Sequence, residues 1–206
     1  LHISEKNGVC FYEKNPIITK ENFPIEVNAV FNCGQVMFEG KYLLLIAAIY
    51  KKPLEDGCGT GIHVATSEDG INFDINPEPL FKSTEWVKNM PGRFDSWVID
   101  PRVTQIGDTY YIVRPGQCHP LDGKDIGPCA LLYKTKDFET AEFVDCVALP
   151  ANRVPCLFPE KIDGEVHPFR AKFAYNYVQT DLAFYFETFE ADTILFRSSE
   201  ENPPFI

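Results

Sequence analysis

The chain of 206 residues lacks a hydrophobic run long enough to cross a membrane. Its longest apolar run, Tyr42–Tyr50, is far shorter than the roughly 20 residues of a transmembrane helix. No charged segment followed by an apolar one opens the chain at Leu1–Cys10, so that stretch does not predict export. We therefore expect a cytoplasmic protein that has no membrane partner.

Positive charge is also in deficit. Lys and Arg number 19 against 30 Asp and Glu, which gives a formal net charge of −11. The phosphate backbone of a nucleic acid would be repelled by such a chain, because affinity for it depends on neutralising its charge. We expect no nucleic-acid partner.

Paired cysteines are missing as well. The seven cysteines are scattered, and no two of them form a CxxC pair. A zinc site needs ligands at close spacing, which only Cys118–His119 approaches. This usage predicts reduced, mostly buried thiols and no bound metal.

The residues that are abundant predict a packed all-β protein. Hydrophobic residues make up 45% of the chain and aromatic residues 14%, enough for a core. Leu1–Pro24 is polar and predicts a loop. Alternating or β-branched runs predict the following strands: Glu26–Cys33, Gln35–Phe38, Lys41–Tyr50, Gly61–Ser67, Ile71–Ile75, Thr109–Val113, Pro128–Thr135 and Phe138–Val144.

The same order of segments occurs twice. GKYLLLI aligns with GDTYYIV, and VATSEDGINF aligns with YKTKDFETAEF, which indicates a repeat of about 60 residues built from four short strands. A third unit begins at Cys156–Gly164. Four-stranded repeats without helical periodicity predict a β-propeller, and a closed ring usually needs four or more blades. We expect an incomplete propeller of about three blades.

One carboxylate stands out at the start of the second repeat. Asp100 precedes Pro101, which fixes its own φ and favours extended geometry in the residue before it. Arg102 would then project from the same face as Asp100. Beside Trp97 and Tyr110, this pair fits a sugar-handling site, and it fits equally well a turn aspartate in a surface ion pair.

Seven segments together resemble the successive motifs of glycoside hydrolase family 130, which comprises β-mannoside phosphorylases and some β-mannosidases on a five-bladed propeller. They arrive in the family's order across about residues 15–164. The segments are NPII at Asn15–Ile18, FNCGQVMFEGKYLLL at Phe31–Leu45, ATSEDGINF at Ala65–Phe73, NPEP at Asn76–Pro79, DPRVTQIGDTYY at Asp100–Tyr111, KTKDF at Lys134–Phe138 and NRVPCLFPEKIDG at Asn152–Gly164.

The resemblance implies inverting phosphorolysis of a β-mannoside to mannose 1-phosphate. Inorganic phosphate is the co-substrate, and no cofactor is implied. By motif, Asp100 is the general acid, an arrangement in which a single carboxyl group suffices because phosphate is already anionic. Family members often assemble, so a homo-oligomer is implied too.

The resemblance also assigns the residues around the acid. Lys161 matches the phosphate-side lysine, with Glu160 beside it as a substrate contact. Arg102 matches an arginine that orients the carboxylate, and Asn32 matches an asparagine that binds the mannose. Two alternatives stay open: Asn32 as the cap of a turn before Gly34, and Lys161 as a solvated charge.

Three positions depart from the family pattern. Ile99 replaces an acidic residue, Ala47 replaces an arginine that closes the LLL strand, and Glu165–Ile206 is unlike the family. We expect a family-like domain over residues 1–164, and a break in the reading frame near Gly164 that makes residues 165–206 a divergent tail. Two other functions therefore stay open: a β-mannosidase that uses water, and an inactive sugar-binding fragment.

Overall fold

A computed structural model describes residues 3–6, 9–53, 59–81, 93–94, 98–118, 127–148, 156–160, 168–171 and 184–186. The regular structure of these residues is entirely β, which confirms the predicted all-β class. No helix in the described ranges has the length and apolarity that a membrane crossing requires.

The N-terminal segment is more regular than the sequence predicts. Ile3–Lys6 (β1) and Val9–Tyr12 (β2) pair as an antiparallel hairpin. The prediction of a loop over Leu1–Pro24 is therefore wrong for these strands and holds for the residues after them.

The first sheet is a four-stranded antiparallel meander in the order β3-β4-β5-β6. Its strands are Val27–Phe38 (β3), Lys41–Tyr50 (β4), Thr60–Ser67 (β5) and Asp74–Phe81 (β6). The bounds of β4 are those predicted, and Leu43, Leu45 and Ile46 are buried as its apolar composition requires. Glu39 and Gly40 both have positive φ, 50° and 80°, as a type I′ hairpin turn demands.

The second sheet repeats this meander with an interrupted first strand. Its strands are Arg93–Phe94 (β7), Arg102–Ile106 (β8), Thr109–Cys118 (β9), Gly127–Thr135 (β10) and Glu142–Ala148 (β11). Both β7 and β8 pair with β9, at opposite ends of that strand. The described residues between them, 98–101, belong to no strand, and pairing with β9 resumes at β8.

A third sheet begins where the third repeat is predicted. Cys156–Leu157 (β12), Pro168–Ala171 (β13) and Phe184–Phe186 (β14) pair antiparallel in this order. The turn predicted at Asp163–Gly164 lies outside the described residues.

Matching turns confirm the internal repeat. In the first sheet, the Ser67 hydroxyl accepts hydrogen bonds from the backbone N–H groups of Asp69 and Gly70. In the second sheet, the Thr135 hydroxyl accepts from Asp137 and Phe138 in the same way. Each aspartate then accepts two N–H bonds from the residues that follow it. Two stretches of different sequence therefore form turns with the same hydrogen-bond pattern.

Two apolar clusters join the sheets. The larger lies between the first and second sheets, and its buried members are Leu43, Leu45, Ile62, Phe81, Val98, Tyr110, Ile112, Cys129, Leu131, Tyr133 and Phe138. The other joins the second sheet to β12 through Leu157, which packs with Ile106, Tyr111 and Val113. Consecutive sheets are thus packed face to face.

Several predicted boundaries need correction. Strand β3 runs through Gly34 without a break, so there is no turn for Asn32 to cap. The segments predicted at Ile71–Ile75 and Phe138–Val144 start later, at Asp74 and Glu142, because the hydrogen-bonded turns before them are longer than the sequence suggests.

The prediction of mostly buried cysteines fails for the three cysteines whose burial the structure describes. Cys129 is buried, whereas Cys33 and Cys156 are exposed. Both exposed thiols lie on the first described strand of their sheets, β3 and β12, where fewer neighbours cover them than in the middle of a sheet.

Candidate functional site

Asn32 lies at an irregularity in strand β3. Its neighbours Phe31 and Cys33 pair with the consecutive residues Ala47 and Ile46 of β4, so Asn32 itself has no opposite residue. This β-bulge re-aims the side chain. The φ of Asn32 is 35°, in the left-handed region that asparagine tolerates better than most residues. The bulge leaves the amide exposed.

Asp100 lies where the first strand of the second sheet is interrupted, two residues before β8 begins. Its φ is 50°, so the extended geometry that Pro101 predicts for it is wrong. A left-handed residue other than glycine costs about 1–2 kcal/mol, which contacts from elsewhere must offset. Those contacts come from the first sheet.

The side chains of Asn32 and Asp100 meet. Asn32 Nδ2 donates a hydrogen bond to Asp100 Oδ1 over 2.5 Å, between residues 68 positions apart. The structure therefore brings together the two residues that the resemblance assigns to the acid and to the sugar.

Two further contacts hold the segment of Asp100 against the first sheet. A Cβ atom added at Gly34 would lie 3.0 Å from the carbonyl oxygen of Pro101, so the two backbones lie in close contact and a larger residue would have to displace the neighbour. The Val98 N–H donates to the Thr60 hydroxyl over 3.0 Å, and the Val98 side chain is fully buried. The backbone of Asp100 is thus held against the first sheet both before it, at Val98, and after it, at Pro101.

The other predicted site residues do not join this pair. Arg102 is half-buried on β8, and among the described residues it forms no ion pair with Asp100. The predicted shared face fails because Asp100 is not extended. Glu160 is exposed after β12 and makes no hydrogen bond or ion pair with Asn32 or Asp100. Lys161 lies outside the described residues.

Of the aromatic residues next to the motif, the described ones belong to the core. Tyr110 and Tyr111 are 8% and 5% exposed and pack in the two apolar clusters. Trp97 lies outside the described residues. The sugar-stacking interpretation thus has no support from Tyr110 or Tyr111.

Two of the three departures from the family pattern, Ala47 and Ile99, lie close to the site. Ala47 is fully buried and pairs with Phe31, the residue that precedes Asn32. Ile99 directly precedes Asp100 and is half-buried. The environment of Asp100 therefore lacks two charges that the resemblance implies.

Sequence reasoning missed a buried arginine in the second sheet. Arg114 is fully buried; its guanidinium donates to the Tyr133 hydroxyl over 2.5 Å and to the Pro115 carbonyl over 3.3 Å. It also lies over the ring of Phe81, 5.2 Å from the centroid. The signal that could have revealed it is a lone arginine at the end of the apolar run TYYIV.

A groove of about 900 Å³ lies beside the first sheet, between β3, β4 and the N-terminal segment. Asn32 borders it together with Phe31, Tyr42 and Phe73, whereas Asp100 does not. Its lining is mainly apolar, and it adjoins the carboxylate site through Asn32. In the described part of the chain, no three His, Cys, Asp or Glu residues are grouped closely enough to hold a metal ion.

Comparison with known proteins gives matches over most of the chain. The model of a family described as beta-1,4-mannooligosaccharide phosphorylase matches residues 6–171, and thus extends past Gly164. A beta-1,4-mannooligosaccharide phosphorylase from Ruminococcus albus is 32% identical over 169 residues, which are 78% of this chain and 45% of that protein. A beta-1,2-mannobiose phosphorylase from Listeria innocua is 33% identical over 107 residues, 52% of this chain and 26% of that protein.

Solved structures share the fold. The Listeria innocua beta-1,2-mannobiose phosphorylase superposes with a TM-score of 0.64 at 24% identity, over 86% of this chain and 61% of that one. A Bombyx mori family 32 beta-fructofuranosidase gives a TM-score of 0.58 at 17% identity, over 81% of this chain and 36% of that one. The chain spans less than half the length of the curated relatives it matches.

Proposed function

Because this chain belongs to glycoside hydrolase family 130, we propose that it cleaves β-mannosides with inorganic phosphate and releases mannose 1-phosphate. The observation that carries the proposal is the hydrogen bond between Asn32 and Asp100. It joins, across 68 positions of sequence, the residues that the family motifs assign to the sugar and to the proton.

The proposed reaction balances with one carboxyl group. A phosphate oxygen bonds to the anomeric carbon from the face opposite the leaving sugar, the glycosidic C–O bond breaks, and the configuration inverts. The leaving oxygen takes the proton of Asp100, directly or through a hydroxyl of the mannose. The nucleophile enters as hydrogen phosphate, and the phosphate group of the product then gives this proton to the Asp100 carboxylate, so no second carboxylate is needed.

The other motif residues take supporting roles in the proposal. Lys161 binds the incoming phosphate, since a dianion needs a cation near it. Glu160 and Arg102 contact the substrate, and Arg102 lies two residues from the acid on the strand that follows it. The exposed amide of Asn32 can reach a sugar hydroxyl as well as Asp100.

The proposed architecture is part of a five-bladed propeller. The first and second sheets are two blades and β12–β14 begin a third, with residues 1–164 as the family-like domain and 165–206 as a divergent tail. The proposal extends to a cytoplasmic location and to assembly of several copies. Support comes from the face-to-face packing of consecutive four-stranded meanders, which is how blades stack.

A second candidate function is binding of a β-mannoside without turnover. It is favoured by Ala47, since the missing arginine would stand next to Asn32 on the neighbouring strand. Loss of one charge-assisted contact to sugar or phosphate costs roughly 1.5–3 kcal/mol, which is enough to slow a reaction strongly.

The test is incubation of the protein with β-1,4- and β-1,2-mannobiose, with and without phosphate. Phosphate-dependent mannose 1-phosphate supports the proposal, and the favoured disaccharide identifies the linkage. Phosphate-independent release of mannose would instead indicate a β-mannosidase. Binding measured by calorimetry without either product would support the second candidate.

A further inference from the structure

We infer that Asn32 is a positioning residue for Asp100: its amide holds one carboxyl oxygen so that the other oxygen is turned to deliver the proton. This inference rests on the proposed function, in which Asp100 is the acid. It gives Asn32 a task beyond contact with the sugar, because the amide acts on the reaction through the carboxyl group.

The first observation is the backbone geometry at both ends of the hydrogen bond. Four described residues other than glycine have positive φ. Glu39 and Phe138 belong to turns, where such values are usual. Asn32 lies within a strand and Asp100 at the entrance of one, so no turn explains their conformations. Both backbones are bent where their side chains meet.

The second observation is that the bond joins two fixed points. Gly34, two residues after Asn32, touches the Pro101 carbonyl, and the Val98 N–H is bound to Thr60 of the first sheet. The distance between the two Cα atoms is therefore set by the packing of the sheets. A hydrogen bond between fixed partners selects one rotamer of each side chain, as preorganised sites require.

The third observation concerns the two oxygens of the carboxyl group. Asn32 occupies Oδ1, and among the residues that the structure describes Oδ2 has no hydrogen-bond partner. In a carboxylic acid the carbonyl oxygen accepts a hydrogen bond better than the hydroxyl oxygen does, so the bond from Asn32 favours a protonated Asp100 that carries its hydrogen on Oδ2. The bond thus favours one oxygen as the source of the proton and sets where it points.

Two substrates separate positioning from sugar contact. The sugar released from β-1,4-mannobiose is a poor leaving group and needs the proton, whereas 2,4-dinitrophenolate leaves a β-mannoside without it. A direct sugar contact would help both substrates alike. Positioning of the acid would help only the disaccharide.

The experiment compares Asn32→Gly, Asn28→Gly and Asp100→Asn with the unchanged protein. Glycine keeps the left-handed φ of residue 32 without strain. Asn28 is the matched control, since it lies on the same strand and its amide donates to the Tyr50 carbonyl of β4. For Asn32→Gly we expect kcat on the disaccharide to fall about 100-fold, and the loss on the dinitrophenyl mannoside, which reports the sugar contact alone, to be at least about tenfold smaller.

The outcomes also separate this inference from the proposed function. Equal losses on both substrates, or a change in KM alone, would overturn the positioning role and leave the reaction standing. Absence of phosphate-dependent turnover in the unchanged protein, or an Asp100→Asn variant without preference for the activated substrate, would overturn the proposed function itself. A crystal structure of Asn32→Gly then decides the inference without activity, because an Asp100 carboxyl that keeps its orientation contradicts it.

Discussion

At the scale of single residues, the site depends on an aspartate whose conformation is imposed from outside its own segment. We predict that Asp100→Asn abolishes phosphorolysis of mannobiose, with a loss of about 10²–10⁴-fold, because an amide gives no proton to the leaving oxygen. The measurement is the rate of mannose 1-phosphate formation. An unchanged melting temperature is the control, and a variant that retained the full rate would rule out Asp100 as the acid.

His63 supplies a second residue-scale prediction, on stability. Its ring is fully buried; Nδ1 donates to the Asn76 carbonyl and Nε2 accepts from the Tyr50 hydroxyl, each over 2.9 Å. Burial lowers the pKa of His63 and outweighs the Asn76 carbonyl and the charge of Glu78, which raise it. The folded protein therefore favours the neutral ring.

Because the pKa of His63 is lower in the folded protein than in the unfolded chain, acidification lowers the free energy of unfolding. Above about pH 6.5, the ordinary pKa of histidine, the ring is neutral in both states and its contribution to stability is complete. As the pH falls below that value, the unfolded chain takes up the proton first, so the free energy of unfolding decreases, by at most about 1.4 kcal/mol per pH unit for this group. Urea unfolding between pH 7.5 and 5 measures this slope. The slope of a His63→Gln variant should be smaller, and an identical slope would contradict the prediction.

At the scale of elements, close approach of two strands sets the geometry of the site. We predict that Gly34→Ala lowers the rate of phosphorolysis by about tenfold, because the added Cβ lies 3.0 Å from the Pro101 carbonyl and from Val103 Cγ2 and must push the acid's segment away. Gly59→Ala is the matched control, since nothing lies within 4 Å of its Cβ. Equal rates for the two variants would show that the contact does not position the acid.

The repeated turns give a prediction for the second sheet. The Asp137 carboxylate accepts N–H bonds from Thr140 and Glu139, and these bonds lower its pKa. We expect Asp137→Ala to lower the free energy of unfolding by about 1 kcal/mol at pH 7. Because the folded pKa is depressed, this contribution is complete above about pH 3.9, the value for an unfolded aspartate, and is lost as the pH falls through the folded pKa.

Urea unfolding at pH 7 and pH 3 measures the effect. The difference between the unchanged protein and the variant should shrink at the lower pH. Glu139→Ala is the matched control, because its side chain is exposed in the same turn. A larger difference at pH 3 than at pH 7 would contradict the assigned role of the carboxylate.

The sequence predicts the secondary-structure features that depend on local composition, but not those that depend on long-range contacts. The turns at Glu39–Gly40 and Gly107–Asp108, the strand Lys41–Tyr50 and the repeat could be read because they depend on local composition. The bulge at Asn32 and the left-handed Asp100 could not, because each arises from contact between residues far apart in sequence. Pro101 favours extended geometry at Asp100, and packing against the first sheet overrides it.

At the scale of the whole molecule, one apolar cluster couples the first two sheets. Leu131 is fully buried within it. We predict that Leu131→Ala lowers the free energy of unfolding by about 3 kcal/mol and that both sheets still unfold in one transition. Met37→Ala, at a side chain that is 46% exposed, should change it by less than about 0.5 kcal/mol. Circular dichroism and hydrogen exchange in urea measure both variants, and separate transitions for the two sheets would contradict the coupling.

In the proposed reaction, the anchoring of the Asp100 segment on a neighbouring sheet makes activity depend on the packing of the two sheets against each other. Asn32 lies in the first sheet and Asp100 beside the second, so neither sheet alone contains the pair. A chain whose strands have formed but whose two sheets are not packed together would therefore be inactive. Under mild denaturation the reaction would accordingly disappear while the far-ultraviolet signal of the strands persists. Turnover would then report, earlier than any spectrum of secondary structure, that the interface between the sheets has opened.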